Sequence, residues 1–168
     1  MNWSWSKPLA DHMKSNPVLY SETLELSEDT VMPDLETLGE IFPGTAHSLK
    51  TWGRTEGVLH LDPHWSGVRK QTPLHIDPRY PRYTHHLLLR VDDFVLRGMD
   101  EIESEPLVRG TYIVVDTHSP HQLKAKSRDA LWYVGVSIDA DDPLPAAEVV
   151  PSLLAYATSV KLDHGLEL

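Results

Sequence analysis

The chain has 168 residues, a formal net charge of -10 at pH 7, 40% hydrophobic residues and no cysteine. This length and composition favour one globular domain, and the negative charge disfavours nucleic acid as a partner because phosphate backbones are also negative. The absence of cysteine excludes disulfides and thiolate zinc sites, so nitrogen and oxygen atoms must hold any metal.

Residues 1–56 predict an N-terminal arm followed by a helix. The arm is rich in tryptophan, proline and polar residues, and we expect one short strand in it at Thr23–Leu26. Residues 33–41 favour a short amphipathic helix, because apolar residues recur at every third position after a proline. A Pro-Gly pair then ends the helix.

Residues 57–140 change to short apolar or alternating runs separated by glycine, proline and aspartate, a pattern typical of β-strands. The strand from Ala130 to Asp139 is apolar on both alternating faces, which predicts burial on both sides. Residues 141–168 return to helix, with Pro151–Ala157 in its first turns. The predicted strands are Gly57–Leu61, Val68–Leu74, Tyr83–Val91, Phe94–Arg97, Thr111–Val115, Gln122–Lys126 and Ala130–Asp139.

Candidate metal ligands begin with His75 and Asp77. Side chains two residues apart on an extended strand project to the same side, so this imidazole and carboxylate can coordinate one ion. The pair His60 and Asp62 has the same local chemistry and is the alternative. We prefer the first pair because the apolar strand that begins at Tyr83 follows it closely.

A second imidazole is expected from His121 or from His118. Pro120 lies between them and interrupts the strand, so only one should face the metal, and we favour His121. Two imidazoles and one carboxylate form the facial triad of non-haem Fe(II) oxygenases, which leaves other iron positions open. Arg128, seven positions after His121, is of the residue type that forms bidentate hydrogen bonds with a carboxylate, such as that of a co-substrate. The alternative role for Arg128 is a salt bridge to Asp116 or Asp129.

The stretch from Leu74 to Asp139, with its His-x-Asp and distal histidine, resembles the core of the Fe(II)/2-oxoglutarate-dependent dioxygenases. The segment from Gly110 to His121 is similar to the distal-histidine hairpin of the aspartyl/asparaginyl β-hydroxylase and prolyl hydroxylase branches. The arginine of that superfamily usually follows the distal histidine by nine or ten residues. Arg128 follows His121 by seven residues and His118 by ten, which keeps His118 as an alternative. The resemblance implies a mainly β fold, a double-stranded β-helix (jelly-roll or cupin-like barrel) with a few flanking helices. It also implies Arg128 as anchor of the co-substrate, with Arg82 and His85 as a second co-substrate element.

We therefore expect a single domain over residues 1–168: an arm and helix (1–56), a barrel core (57–140) and a C-terminal helix (141–168). The expected function is hydroxylation of a peptide, amino acid or small metabolite with Fe(II) and 2-oxoglutarate. The alternatives are an inactive β-barrel binding module and a cupin-like metalloenzyme that does not use 2-oxoglutarate. No apolar run of membrane-spanning length and no signal peptide occur, so a cytoplasmic location is expected.

Overall fold

The computed structural model describes residues 16–27, 48–52, 63–69, 71–79, 81–130 and 132–159. The predicted helix over residues 33–41, the predicted strand Gly57–Leu61 and the alternative pair His60 and Asp62 lie outside this part of the chain. Within it the protein is mainly β, and its two sheets do not close on each other.

Six strands form a large antiparallel sheet in the order β1-β6-β4-β8-β3-β2. The central strands, β4 and β8, are nine residues long; β8 is almost wholly buried, as its apolar sequence predicts, and β4 is buried over its five middle residues. The strands of this sheet are β1 (Val18–Thr23), β2 (Ser48–Trp52), β3 (His64–Arg69), β4 (Tyr83–Val91), β6 (Thr111–Asp116) and β8 (Trp132–Ala140).

A smaller layer is built around two antiparallel strands, β5 (Phe94–Arg97) and β7 (Gln122–Ala125). Residues 71–77 run along the free edge of β7, where the N–H of Thr72 donates to the carbonyl of Leu123 at 3.1 Å and an antiparallel bridge joins His75 to His121. On the outer edge of β5, residues 103–107 add further backbone hydrogen bonds. The smaller layer therefore has the order 71–77, β7, β5, 103–107.

The central strands of the large sheet are buried on both faces. Alternate residues of β4 show this, because Leu87 and Leu89 pack in one core while Leu88 packs in the other. One core, called here the helix-side core, contains the C-terminal helix α1 (Ala146–Ser159) through Val149, Leu153 and Ala157. The other, called the inter-sheet core, contains residues of the smaller layer: Phe94, Leu96 and Leu123.

The two central strands approach each other closely at Gly135 of β8. A Cβ atom at this position would lie 2.0 Å from the carbonyl oxygen of Leu87. Only glycine fits this contact, and a shift in register between Leu88 and Arg90 marks an irregularity in the same pair of strands.

The strands β4 and β5 have the predicted bounds; β6 and β7 differ from prediction by one residue at their ends, and β8 begins two residues later and ends one residue later than predicted. The strand predicted at Thr23–Leu26 is wrong: β1 spans Val18–Thr23. Pairing stops there because its partner begins at Thr111, after Gly110 turns the chain with a φ of 92°.

Two further predictions are wrong in detail. The single strand predicted over Val68–Leu74 is two segments in different layers, since β3 ends at Arg69 and the next residues join β7. The C-terminal helix begins earlier than predicted, at Ala146, and Pro151 lies inside it instead of in its first turn. The carbonyl of Pro145 starts this helix by accepting the N–H groups of Glu148 and Val149. No helix in the described ranges is long and apolar enough to cross a membrane.

Candidate metal centre

Backbone hydrogen bonds bring three predicted ligands together at one end of the smaller layer. The N–H of His75 donates to the carbonyl of His121 at 3.0 Å, and the N–H of His121 donates back to the carbonyl of His75 at 2.9 Å. Two residues later, the N–H of Asp77 donates to the carbonyl of Thr117 at 2.8 Å. The two histidines are therefore directly opposite each other, and Asp77 follows on the same side of its strand.

The ligand atoms of His75, Asp77 and His121 all lie within 4.8 Å of one another, a spacing that could hold one metal ion. The Oδ2 atom of Asp77 is 3.2 Å from Nε2 of His121 and 3.5 Å from Nε2 of His75. The two imidazole rings have centroids 4.4 Å apart and are tilted by 51°. Both Nε2 atoms thus point at one carboxylate oxygen.

The other nitrogen of each imidazole is held by a backbone carbonyl. Nδ1 of His75 is 2.6 Å from the carbonyl oxygen of Pro73, and Nδ1 of His121 is 2.9 Å from that of Ser119. A carbonyl can only accept, so both Nδ1 atoms carry the proton and donate it. This leaves each Nε2 as the atom available for a metal, as in metal sites where a backbone carbonyl fixes the tautomer of a ligating histidine.

The electrostatics of the triad favour a cation between its members. Burial alone would raise the pKa of Asp77, but hydrogen bonds from His121 and His75 outweigh burial and hold the pKa well below its usual range. The hydrogen bond to Asp77 raises the pKa of His75 above its ordinary value. The carboxylate is therefore ionised, and a proton or a metal cation can satisfy the Nε2 atoms that face it.

The side chains of the triad are partly exposed, by 33% for His75, 30% for Asp77 and 13% for His121. An ion and a small ligand can therefore reach them from solvent. Two nitrogen atoms and one carboxylate oxygen suit iron, manganese or another metal of intermediate hardness, and three protein ligands leave further coordination positions for a co-substrate.

The alternative distal ligand, His118, is not a member of the triad. It lies in the turn that connects β6 to β7, where its backbone N–H donates to Oδ1 of Asp116 at 3.1 Å. The sequence preference for His121 over His118 therefore agrees with the geometry.

None of the residues predicted to bind a co-substrate belongs to the triad. Arg82 forms a bidentate ion pair with Asp116, with Nε to Oδ1 at 3.1 Å and Nη2 to Oδ2 at 2.9 Å. Arg128 is exposed in the turn after β7, whereas His121 precedes that strand. About 13 Å of strand therefore separates His121 from the turn that contains Arg128.

His85 lies on the other face of the large sheet from the smaller layer. It has the same parity along β4 as Leu87, its Nδ1 donates to the carbonyl of Ile138 at 3.2 Å, and its Nε2 accepts the N–H of Leu144 at 3.0 Å. Burial lowers the pKa of His85, in agreement with a neutral imidazole that donates from one nitrogen and accepts at the other. His85 therefore faces the helix-side core and not the smaller layer that carries the triad.

The neighbouring histidine, His86, faces the space between the layers. It lies on the same face of β4 as Leu88 and is 4% exposed. Its Nδ1 lies 3.2 Å from the hydroxyl of Tyr133. Burial raises the pKa of the Tyr133 hydroxyl and so keeps it protonated. Ser137, 1% exposed, has the same parity along β8 as Tyr133. The sequence named Tyr133 as a pocket-lining aromatic residue but gave no indication of His86 or Ser137, because nothing in two adjacent histidines shows which one faces inward.

The turn over residues 116–119 was also missed as part of the site. Asp116 was considered only as a salt-bridge partner of Arg128, yet it pairs with Arg82, 34 positions earlier. The sequence feature that could have indicated this role of Asp116 is its position at the end of an apolar strand, shortly before the two candidate distal histidines. No protein-family model matches the chain, and no curated protein matches it.

Proposed function

We propose that the protein is an Fe(II)- and 2-oxoglutarate-dependent oxygenase that hydroxylates a peptide, an amino acid or a small metabolite. The observation that carries the proposal is the convergence of the side chains of His75, Asp77 and His121 within 4.8 Å. The ligand set is the two-histidine, one-carboxylate triad of non-haem Fe(II) oxygenases. When bound, iron with 2-oxoglutarate couples decarboxylation of the co-substrate to insertion of one oxygen atom of O₂ into a substrate C–H bond.

The strand order supports a double-stranded β-helix as the fold behind this site. The smaller layer, in the order 71–77, β7, β5, 103–107, lies opposite the strands β3, β8, β4 and β6. Successive segments from β3 to β8 alternate between the two layers, except that β5 and 103–107 both belong to the smaller one. Such alternation is expected of a jelly roll. In this fold the triad would lie at the open end of a barrel, where loops leave room for a substrate.

The chain's own residues have two roles in this proposal. The backbone carbonyls of Pro73 and Ser119 orient the imidazoles so that each Nε2 can bind the metal. The inter-sheet core, with Leu88, Phe94 and Ile113 fully buried, keeps water out of the space behind the triad.

The far carboxylate of 2-oxoglutarate also needs a partner within reach of the triad. His86 and Tyr133 supply hydrogen-bonding groups on the face of the large sheet that the smaller layer covers. We place the far carboxylate there in preference to Arg128.

The second candidate function is a cupin-like metalloenzyme that does not use 2-oxoglutarate. The exposure of Arg128 beyond the far end of β7, together with the commitment of Arg82 to Asp116, favours it, because neither predicted arginine is placed as an anion anchor beside the metal. In this case the open metal positions would bind the substrate directly.

One experiment separates the two functions. The purified chain is incubated with Fe(II), ascorbate, O₂ and 2-oxoglutarate, and succinate is measured with and without metal, and in a His121→Ala variant. The proposal predicts succinate formation that requires iron and is lost in the variant. Metal binding by the wild-type chain without any iron-dependent succinate would contradict the oxygenase and favour the second candidate.

A further inference from the structure

We propose that Asp116 is a positioning residue of the metal centre: its carboxylate fixes the turn that orients two of the three ligands, and its loss weakens metal binding beyond its effect on folding. This inference rests on the proposed metal centre. Asp116 is not a ligand, because the group that could hold the ion consists of His75, Asp77 and His121. Its role follows from a chain of hydrogen bonds.

The carboxylate of Asp116 is 4% exposed and accepts four hydrogen bonds. Its Oδ1 accepts from Nε of Arg82 at 3.1 Å and from the N–H of His118 at 3.1 Å. Its Oδ2 accepts from Nη2 of Arg82 at 2.9 Å and from the hydroxyl of Ser119 at 3.1 Å. These four hydrogen bonds converge on one charged carboxylate and fix the shape of the turn that follows β6.

This turn orients the distal histidine. The N–H of Ser119 donates to the carbonyl of Asp116 at 3.1 Å, and the carbonyl of Ser119 accepts the Nδ1–H of His121 at 2.9 Å. A rotation of the Ser119 peptide would therefore rotate the imidazole of His121. Pro120 connects the two residues and restricts the backbone between them.

The same turn holds the carboxylate ligand. The carbonyl of Thr117 accepts the N–H of Asp77 at 2.8 Å, while the N–H of Thr117 donates to the carbonyl of Arg82 at 2.7 Å. Arg82 thus contacts the turn twice, through its guanidinium on Asp116 and through its carbonyl on Thr117. One cluster consequently positions both His121 and Asp77.

An asparagine at position 116 would keep the shape of the side chain but not its bonding. One of its two polar atoms is an NH₂ group, and each carboxylate oxygen of Asp116 now faces an N–H of Arg82. A donor would therefore meet a donor in either orientation, and the charge that holds the guanidinium would be lost. Substitution of residues that orient metal ligands typically weakens metal affinity about 10- to 100-fold, which is the loss expected here.

The test compares Asp116→Asn with Asp92→Asn in the full chain. Asp92 also holds a turn, because its Oδ2 accepts the N–H of Trp132 at 3.0 Å. This turn follows the last residue of β4, whereas Arg82 and Asp116 lie at the opposite end of that strand. Calorimetric titration with Co²⁺ gives the affinity, the visible spectrum of bound Co²⁺ reports its geometry, and urea unfolding of the metal-free proteins gives their stability.

We expect both variants to lose stability, but only Asp116→Asn to lose Co²⁺ affinity by about 10- to 100-fold and to alter the Co²⁺ spectrum. An unchanged affinity in Asp116→Asn, or an equal loss in Asp92→Asn, would overturn the inference. If Asp116→Asn does not fold, Ser119→Ala decides, since it removes one hydroxyl contact and keeps the ion pair. The expected loss is then about 2- to 10-fold, and no loss refutes the positioning role.

These outcomes are separate from those of the proposed function. A wild-type chain that binds Co²⁺ but forms no succinate contradicts the oxygenase and leaves the role of Asp116 open to the same comparison of variants. A wild-type chain that binds no Co²⁺ contradicts both.

Discussion

Replacing Asp77 by asparagine should weaken metal binding strongly, because Asp77 supplies the negative charge of the triad. Two unit charges about 4 Å apart interact by about 4 kcal/mol at the effective dielectric typical of protein surfaces. The divalent charge of the metal increases this energy, and the 30% exposure of the Asp77 side chain reduces it by solvent screening. We therefore expect a loss of about 2–3 kcal/mol, which corresponds to an affinity lower by about 30- to 160-fold.

The assay is a Co²⁺ titration of Asp77→Asn beside Asp62→Asn. The second variant removes the same charge from the alternative His-x-Asp pair and is the matched control. The titration should be made above neutral pH, because the hydrogen bond to Asp77 raises the pKa of His75 and a proton on this imidazole competes with the metal. A normal affinity in Asp77→Asn, or a larger loss in Asp62→Asn, would refute the assignment of the ligands.

Three more predictions follow from the same geometry. His118→Ala should leave Co²⁺ affinity within about threefold of wild type while His121→Ala abolishes measurable binding in the same titration; the reverse order would make His118 the ligand. Gly135→Ala should destabilise the protein by at least about 2 kcal/mol in urea unfolding, because its Cβ would lie 2.0 Å from the carbonyl oxygen of Leu87; a normal midpoint would contradict the close approach of the strands. Burial lowers the pKa of His85, so its contribution to stability is complete above the unfolded pKa of about 6.5 and declines as pH falls below it. The stability difference between wild type and His85→Gln should accordingly narrow from about pH 7 to about pH 5, and a constant difference would argue against a neutral buried imidazole.

The strands with continuous apolar sequence were predictable. In Tyr83–Val91 and Phe94–Arg97, the consecutive apolar residues Leu87–Leu89 and Phe94–Leu96 indicate burial on both faces, a signal that does not depend on the partner strand. The segment Val68–Leu74 was not predictable, since nothing in its local sequence shows that the chain leaves one layer at Arg69 and joins the other at Thr72.

The triad was predictable from residue type and spacing, whereas its surroundings were not. His75 and Asp77 lie two apart on extended backbone, so their common direction follows from strand geometry alone. The partner of Arg82 is 34 positions away, and only the register of β4 against β6, which pairs Tyr83 with Asp116, brings them together. The choice between His85 and His86 likewise depends on which face of the sheet the smaller layer covers.

The most direct test of the metal centre is anomalous diffraction from crystals grown with Fe(II) or Mn(II). The account predicts one anomalous peak about 2.0–2.2 Å from Nε2 of His75, a carboxylate oxygen of Asp77 and Nε2 of His121. A peak at His60 and Asp62, or no peak between the three predicted ligands at saturating metal, would contradict it.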